Sequence, residues 1–370
     1  MLGEIRQPPF LRLHLHLHLD LPLLAGISLL AGLGLVILYS AGGHDLDVLL
    51  RQVVRLSLAF AVMAVLAQTP PQTMYRWAPG LYLAGVLLLL AVMLAGDVGK
   101  GAQRWLDLKV MRFQPSELVK VTVPLMVARY LAEGSLPPSF ARLLATAFLV
   151  VLPTLLIARQ PDLGTALLVG VAGLFVLFLA GVRWRLIGLL AAAVAGVAPV
   201  VWMFLRDYQR QRVLTFLDPE NDPLGSGYHI IQSKIAIGSG GLYGKGWLNG
   251  TQSHLDFLPE RATDFIFAVV SEEFGLMGVL VLLSLYFFVV GRGLYLASKA
   301  PDTFGRLLGG SLVLTFFVYI FVNVGMVSGL LPVVGVPLPL VSYGGTSLVT
   351  VMAAFGILMS IYSHRRLVPQ

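Results

Sequence analysis

Phe257-Leu258-Pro259-Glu260-Arg261-Ala262-Thr263-Asp264-Phe265-Ile266-Phe267 marks the point where a long polar stretch, opening near Arg206, empties into an apolar run. A carboxylate at such a boundary is costly unless water, a cation or a partner satisfies it, so Asp264 is a functional candidate from the outset. On either side the chain is mostly apolar. Of 370 residues, 57% are hydrophobic and 12% charged, whereas a soluble domain carries about 25% charged residues. With a mean hydropathy of +0.83, the composition predicts an all-α polytopic membrane protein. It leaves room for one integral domain, residues 1–370, and none for a second, soluble one. The absence of cysteine excludes disulfides, thiolate metal sites and cysteine nucleophiles. The net charge of +7 comes from basic residues scattered between apolar runs, not from one stripe. That pattern argues against nucleic acid and for anionic lipid or a phosphate-bearing lipid substrate.

Outward from Asp264, apolar runs long enough to cross about 30 Å of hydrocarbon follow one another. They fall at Leu21–Ala41, Gln52–Ala67, Pro79–Ala95, Gln114–Leu131, Arg142–Ala158, Leu163–Gly181, Trp184–Leu205, Phe265–Gly291, Leu307–Leu330 and Gly344–Tyr362. The expectation is therefore about ten helices, with one long loop, residues 206–264, between the seventh and the eighth. No internal repeat is visible. An even number of spans puts both termini on one side, and the excess of Lys and Arg in the short segments there marks that side as cytoplasmic. The long loop then faces outward with Gly96–Phe113, Arg159–Asp162 and Leu331–Tyr343, and function is expected on that face. Residues 1–20 read as a cytoplasmic tail. Its alternating His14, His16 and His18 suit a headgroup-level segment better than a metal site.

Several residues in and beside these segments could carry chemistry. Glu117 and Lys120 lie three apart on one helix face, either as a structural ion pair or as the wall of a polar cavity. Lys100-Gly-Ala-Gln-Arg104-Trp-Leu-Asp107 offers cations and an aromatic at headgroup level. Asp162, after Pro161, reads equally as a helix cap or as a site residue. Arg206, Arg210 and Arg212 suit phosphate or carboxylate recognition, or lipid anchoring. The glycine-rich stretch Leu224–Gly246 has neither a Walker loop nor a dinucleotide fingerprint, so no nucleotide is expected. Within it, Ile230–Ile237 has the pattern of a short interfacial helix. Asp264, at the start of the following helix, is kept ionised by the helix dipole and can hold a divalent cation or take a proton, unless it is only an N-cap. About two turns deeper, one of Glu272 and Glu273 is expected to face the bundle interior.

At these motifs the chain resembles the SEDS family (shape, elongation, division and sporulation) of peptidoglycan glycosyltransferases, nearly end to end from Leu21 to Arg366. The resemblance rests on Lys100–Asp107, Arg112-Phe-Gln-Pro-Ser-Glu117, Gln160-Pro-Asp162-Leu-Gly-Thr165, Asp207-Tyr-Gln-Arg-Gln-Arg212, Phe257–Phe265 and Pro332-Val-Val-Gly-Val-Pro-Leu-Pro-Leu-Val-Ser-Tyr-Gly-Gly345. Thr346 stands where the family often has Ser, and the His-Leu alternation has no counterpart. The resemblance implies a ten-helix enzyme of the cytoplasmic (inner) membrane that polymerises lipid II on the outer face during cell elongation. Its partners would be a class B penicillin-binding protein and the elongation machinery. It assigns the family's essential aspartate to Asp264, its intramembrane acid and lysine to Glu117 and Lys120, and its loop acid to Asp162. The chemistry of the residues suits that assignment. The acceptor's 4-hydroxyl needs a base or metal ligand, Asp264. The leaving pyrophosphate needs cations, with Arg210, Arg212 and Lys120 as candidates and Arg104 beside the substrate. A divalent cation, Mg²⁺ or Mn²⁺, bridging Asp264 and the pyrophosphate is the one cofactor expected. Rival readings are a lipid II flippase and a noncatalytic cell-wall scaffold.

Overall fold

The computed structural model describes residues 18–99, 102–107, 112–182, 226–254, 257–258 and 260–364, with isolated positions between 183 and 225. The tract before His18 and most of the expected span 184–205 lie outside the described residues. Every other expected span is a helix: α1 Leu21–Ala41, α2 Leu46–Gln68, α3 Pro71–Ala95, α4 Pro115–Ala132, α5 Phe140–Arg159, α6 Leu163–Leu179, α8 Ile266–Ser298, α9 Thr303–Val327 and α10 Thr346–Ser363. Seven of them are long and apolar enough to cross a membrane on composition alone. The other two are α4, which carries Glu117, Lys120 and Arg129, and α6, which has 17 residues.

Local chemistry sets where several helices begin. Asp20, Asp45, Asp162 and Asp302 each cap a helix, their carboxylates accepting from Leu23 N (2.9 Å), Asp47 N (2.7 Å), Thr165 N (3.3 Å) and Gly305 N (2.8 Å). Such a bond satisfies one of the N–H groups that a helix start leaves without an intrahelical partner. The described ends of the chain meet. Arg292 on α8 donates to both oxygens of Asp20 (2.7 and 3.0 Å), and the His18 and His364 rings stack at 4.2 Å. This is the terminal face. The alternating direction of the helices puts Gly96–Gly99, Ala102–Asp107, Arg112–Gln114, Gln160–Asp162, Leu331–Gly345 and the mouth of α8 on the opposite, loop face.

The burial pattern is that of a bundle in lipid. Helix α9 runs through the middle and is buried along most of its length, whereas Leu29, Leu58, Leu87, Phe148 and Phe287 point outward on the surrounding helices. Polar side chains inside the bundle satisfy backbone groups; Ser311, for example, donates to the Ala172 carbonyl at 2.7 Å. The β structure among the described residues is a small antiparallel sheet on the loop face, β1 Asp97–Gly99, β2 Ala102–Asp107 and β3 Arg112–Phe113, in the order β1-β2-β3.

Two features differ from the expectations. Within the polar stretch 206–264, the short helix expected at Ile230–Ile237 is longer, spanning Ser226–Gly240 as α7. It packs against the bundle. Ile230, Ser233 and Ala236 are buried, and Ser233 Oγ donates to the Val327 carbonyl at the end of α9 (2.8 Å). The second difference is in α8. At 1.5 Å per residue, its 33 residues would reach about 50 Å, longer than the hydrocarbon is thick. The helix breaks instead at Gly275, whose backbone (φ 61°, ψ −161°) leaves the helical region. The segment after α7 runs alongside and repairs the break. Lys245 N and Gly246 N donate to the carbonyls of Glu272 (3.0 Å) and Glu273 (2.9 Å), while Leu276 N and Met277 N donate to Gly241 (2.9 Å) and Leu242 (3.1 Å). Non-helical backbone is tolerated at this depth only when protein satisfies it in this way. A Cβ at Gly275 or Gly244 would overlap the opposing backbone, so the glycines let the two strands of chain approach.

Candidate active site

The site is built from the outside of α8 inward. Helix α8 starts at Ile266 with Phe265 in the N-cap position and no side-chain cap bond. Asp264 thus stands one residue outside the N-cap position. Thr263 is turned aside, its hydroxyl donating to Glu260 Oε2 (2.9 Å). Asp264 itself is half-buried, just ahead of the positive end of the helix dipole, where a carboxylate is favoured in its charged form.

What holds this segment is the proline-ordered chain Leu331–Gly345. Three consecutive carbonyls ahead of α8 each accept a bond from outside: Ala262 from Tyr343 N (2.8 Å), Thr263 from Ser342 Oγ (2.5 Å) and Asp264 from Asn323 Nδ2 on α9 (2.9 Å). The second Nδ2 hydrogen of Asn323 goes to the Val336 carbonyl (2.8 Å). Further along, Tyr286 donates to the Pro339 carbonyl (2.5 Å), and Arg55 lies over the Tyr343 ring at 4.4 Å. Gly335 faces the carboxylate, with Asp264 Oδ2 3.4 Å from where a Cβ would stand.

A second group of site residues packs against the same segment from the side of α6. Gly164 of α6 lies under Val334 and Val336. Asp162 caps α6 through Oδ1, accepts from Gln114 Nε2 through Oδ2 (3.0 Å) and pairs with Arg104 Nη1 at 3.8 Å. Arg104, reaching across from β2, also donates to the Pro161 carbonyl. One turn into α4, Glu117 and Lys120 form a buried pair at 2.8 Å, with the ammonium 5.2 Å from the centre of the Tyr319 ring. Tyr319 and Asn323 lie four apart on α9, so one helix face links this pair to the Asp264 segment.

The remaining expected residues divide. Arg210 donates to the Met203 carbonyl at 2.8 Å, and Arg212 lies outside the described residues. Of Glu272 and Glu273, one was expected to face inward, but both are buried, and each meets polar neighbours from a different part of the chain. Glu272 takes Lys245 Nζ (2.7 Å), Thr251 Oγ1 (3.0 Å) and Gln252 N (3.0 Å), and Glu273 takes the Ser40 hydroxyl. Asn323, Ser342, Tyr319 and Tyr286 were not singled out in the sequence. Ser342 lay inside the quoted Pro332–Gly345 motif, and Asn323 left a signal as a lone amide in an apolar helix, where a polar side chain is retained for a bond it makes. Among the described residues no three His, Asp or Glu side chains converge as a metal cage. A single carboxylate such as Asp264 fits a hard cation whose other ligands are substrate phosphates and water.

A family model described as "Cell cycle protein" (FTSW_RODA_SPOVE) matches residues 20–367. The chain belongs to the FtsW/RodA/SpoVE family. Its relatives include the peptidoglycan glycosyltransferase MrdB of Escherichia coli (strain K12), 58% identical over 333 residues and covering 90% of each chain. Among solved structures, this FtsW/RodA/SpoVE member is similar to a chain from work on polymerization and crosslinking by a peptidoglycan synthase complex. There the TM-score is 0.80 at 36% identity, covering 93% of this chain and 97% of that one. It is also similar to the rod shape determining protein RodA of Thermus thermophilus, with a TM-score of 0.71 at 31% identity, covering 94% and 97%.

Proposed function

We propose that this family member is a peptidoglycan glycosyltransferase that polymerises lipid II during cell elongation, with Asp264 as its catalytic carboxylate. The observation that carries the role of Asp264 is its placement. It is a half-buried acid at a helix mouth, one residue outside the N-cap, with its main chain pinned and its carboxylate against Gly335. In the reaction the acceptor's 4-hydroxyl attacks the anomeric carbon of the donor sugar. The C–O bond to lipid pyrophosphate breaks, and the hydroxyl proton passes to Asp264. The pyrophosphate leaves as an anion and needs no proton. Arg104, partly exposed on the loop face beside Asp162, is a described cation that would meet it, whereas Lys120 is committed to Glu117. A divalent cation bound by Asp264 would screen the pyrophosphate charge. Asp264 would then hold the ion, Arg104 would orient the phosphates, and Gly335 leaves room beside the carboxylate.

The site would face the periplasm, with both termini in the cytoplasm. The likeness to a chain of a synthase complex supports a class B penicillin-binding protein as partner. The test is polymerisation of labelled lipid II by the purified protein, alone and with that partner blocked by a β-lactam. Asp264→Ala and Asp264→Asn are expected to fold and make no polymer. Wild-type activity in either variant would remove Asp264 from the chemistry, and transport of lipid II across vesicles without polymer would favour the flippase reading. A chelator series run alongside is expected to abolish polymer and added Mg²⁺ or Mn²⁺ to restore it; undiminished activity would remove the cation.

A further inference from the structure

We propose that Asn323 is a positioning residue for Asp264, setting the aspartate against the Pro332–Pro339 segment. This rests on the reading of Asp264 as the catalytic carboxylate. The two carbonyls that Asn323 binds have no regular secondary structure to serve them. That of Asp264 precedes the ladder of α8, which begins at Ile266, and that of Val336 lies in an irregular segment where Pro332, Pro337 and Pro339 supply no N–H groups. Asn323 is fully buried and gives one amide hydrogen to each, at 2.9 and 2.8 Å. A planar amide with two divergent hydrogens fixes the separation of two acceptors, which a hydroxyl with one hydrogen cannot do.

Gly335 precedes Val336, so the same amide that holds the Asp264 main chain also holds the wall its carboxylate faces. The neighbouring carbonyl of Thr263 is held from the same segment by Ser342 Oγ, which in turn accepts from Leu338 N (2.8 Å). Asn323 differs from these local bonds because it reaches in from α9, the buried centre of the bundle. It therefore ties the aspartate to the most buried of the long apolar helices, not to another loop. A base must stay within a fraction of an ångström of its working position, and a misplacement of about 1 Å costs up to about 100-fold in rate.

The experiment compares Asn323→Ala, Asn323→Gln and Ser311→Ala by steady-state lipid II polymerisation, lipid II binding and thermal unfolding. Ser311 is a control on the same helix, fully buried and also donating to a backbone carbonyl, that of Ala172. Asn323→Ala is expected to lower kcat by about 10- to 100-fold, with KM and lipid II affinity within about 3-fold of wild type. Asn323→Gln, which keeps the amide, should recover part of kcat. Ser311→Ala should lower the unfolding temperature while leaving kcat unchanged. Wild-type kcat in Asn323→Ala, or a loss no greater than that of Ser311→Ala at equal folded fraction, would overturn the proposal. Asp264→Ala, run in the same assay, separates the two readings. If it retains activity, the assignment of Asp264 fails whatever Asn323 does; if it is inactive while Asn323→Ala is not, only the positioning role fails.

Discussion

Glu117 and Lys120 lie 2.8 Å apart inside the bundle, where each charge is tolerated because the other answers it. Removing one partner strands the other, so Glu117→Gln is expected to cost about 3–5 kcal/mol of stability. Replacing both by apolar residues of similar size, Glu117→Leu with Lys120→Met, should recover most of it; unfolding in detergent measures both. If the double variant is stable and also makes polymer, the pair is structural; stable without polymer, it serves the reaction. The pairing itself was legible from a spacing of three, which puts both side chains on one helix face. Asp264 was equally legible as an acid at a polar-to-apolar boundary. Where it stands relative to the cap could not be read, since that turns on a shift of one residue in where α8 begins. Asn323 and Ser342 were harder still, because their meaning lies in carbonyls more than 50 positions away in the chain. Proximity of that kind leaves no local pattern to read.

At the scale of elements, apolar length was enough to find the described spans, because bilayer thickness sets it independently of sequence detail. The break in α8 escaped the same reasoning. Gly275 is one glycine in a long apolar run, and the groups that satisfy its neighbours come from Gly241–Gly246, about thirty residues earlier. The end of the glycine-rich stretch has a structural use: its backbone pairs with the chain's own opened helix. Gly275→Ala is expected to destabilise the protein by about 1–3 kcal/mol or more, since it adds left-handed strain for an L-residue to a steric overlap with Gly244. Hydrogen exchange offers the sharper check. The amides of Leu276 and Met277 should lose protection in that variant while those deep in α9 keep theirs. Unchanged protection at both would mean that the paired segments are not holding the break closed.

Over the whole molecule, the described ends lie together on one face and the motif-bearing segments on the other, with α9 as the axis joining them. That arrangement followed from counting spans, although the count through 184–205 falls outside the described residues. The broken helix has a consequence for how the site lives in different membranes. Leu276–Ser298 alone is about 35 Å long at 1.5 Å per residue, enough to match an ordinary hydrocarbon core, and the piece above it is stitched to the outer chain. When a thicker or thinner bilayer tilts the lower piece, the swivel at Gly275 can absorb the tilt before it reaches Asp264. Polymerisation rates in vesicles of graded acyl-chain length should therefore stay nearly level; a steep dependence on chain length would show that hydrophobic mismatch is transmitted to the aspartate after all.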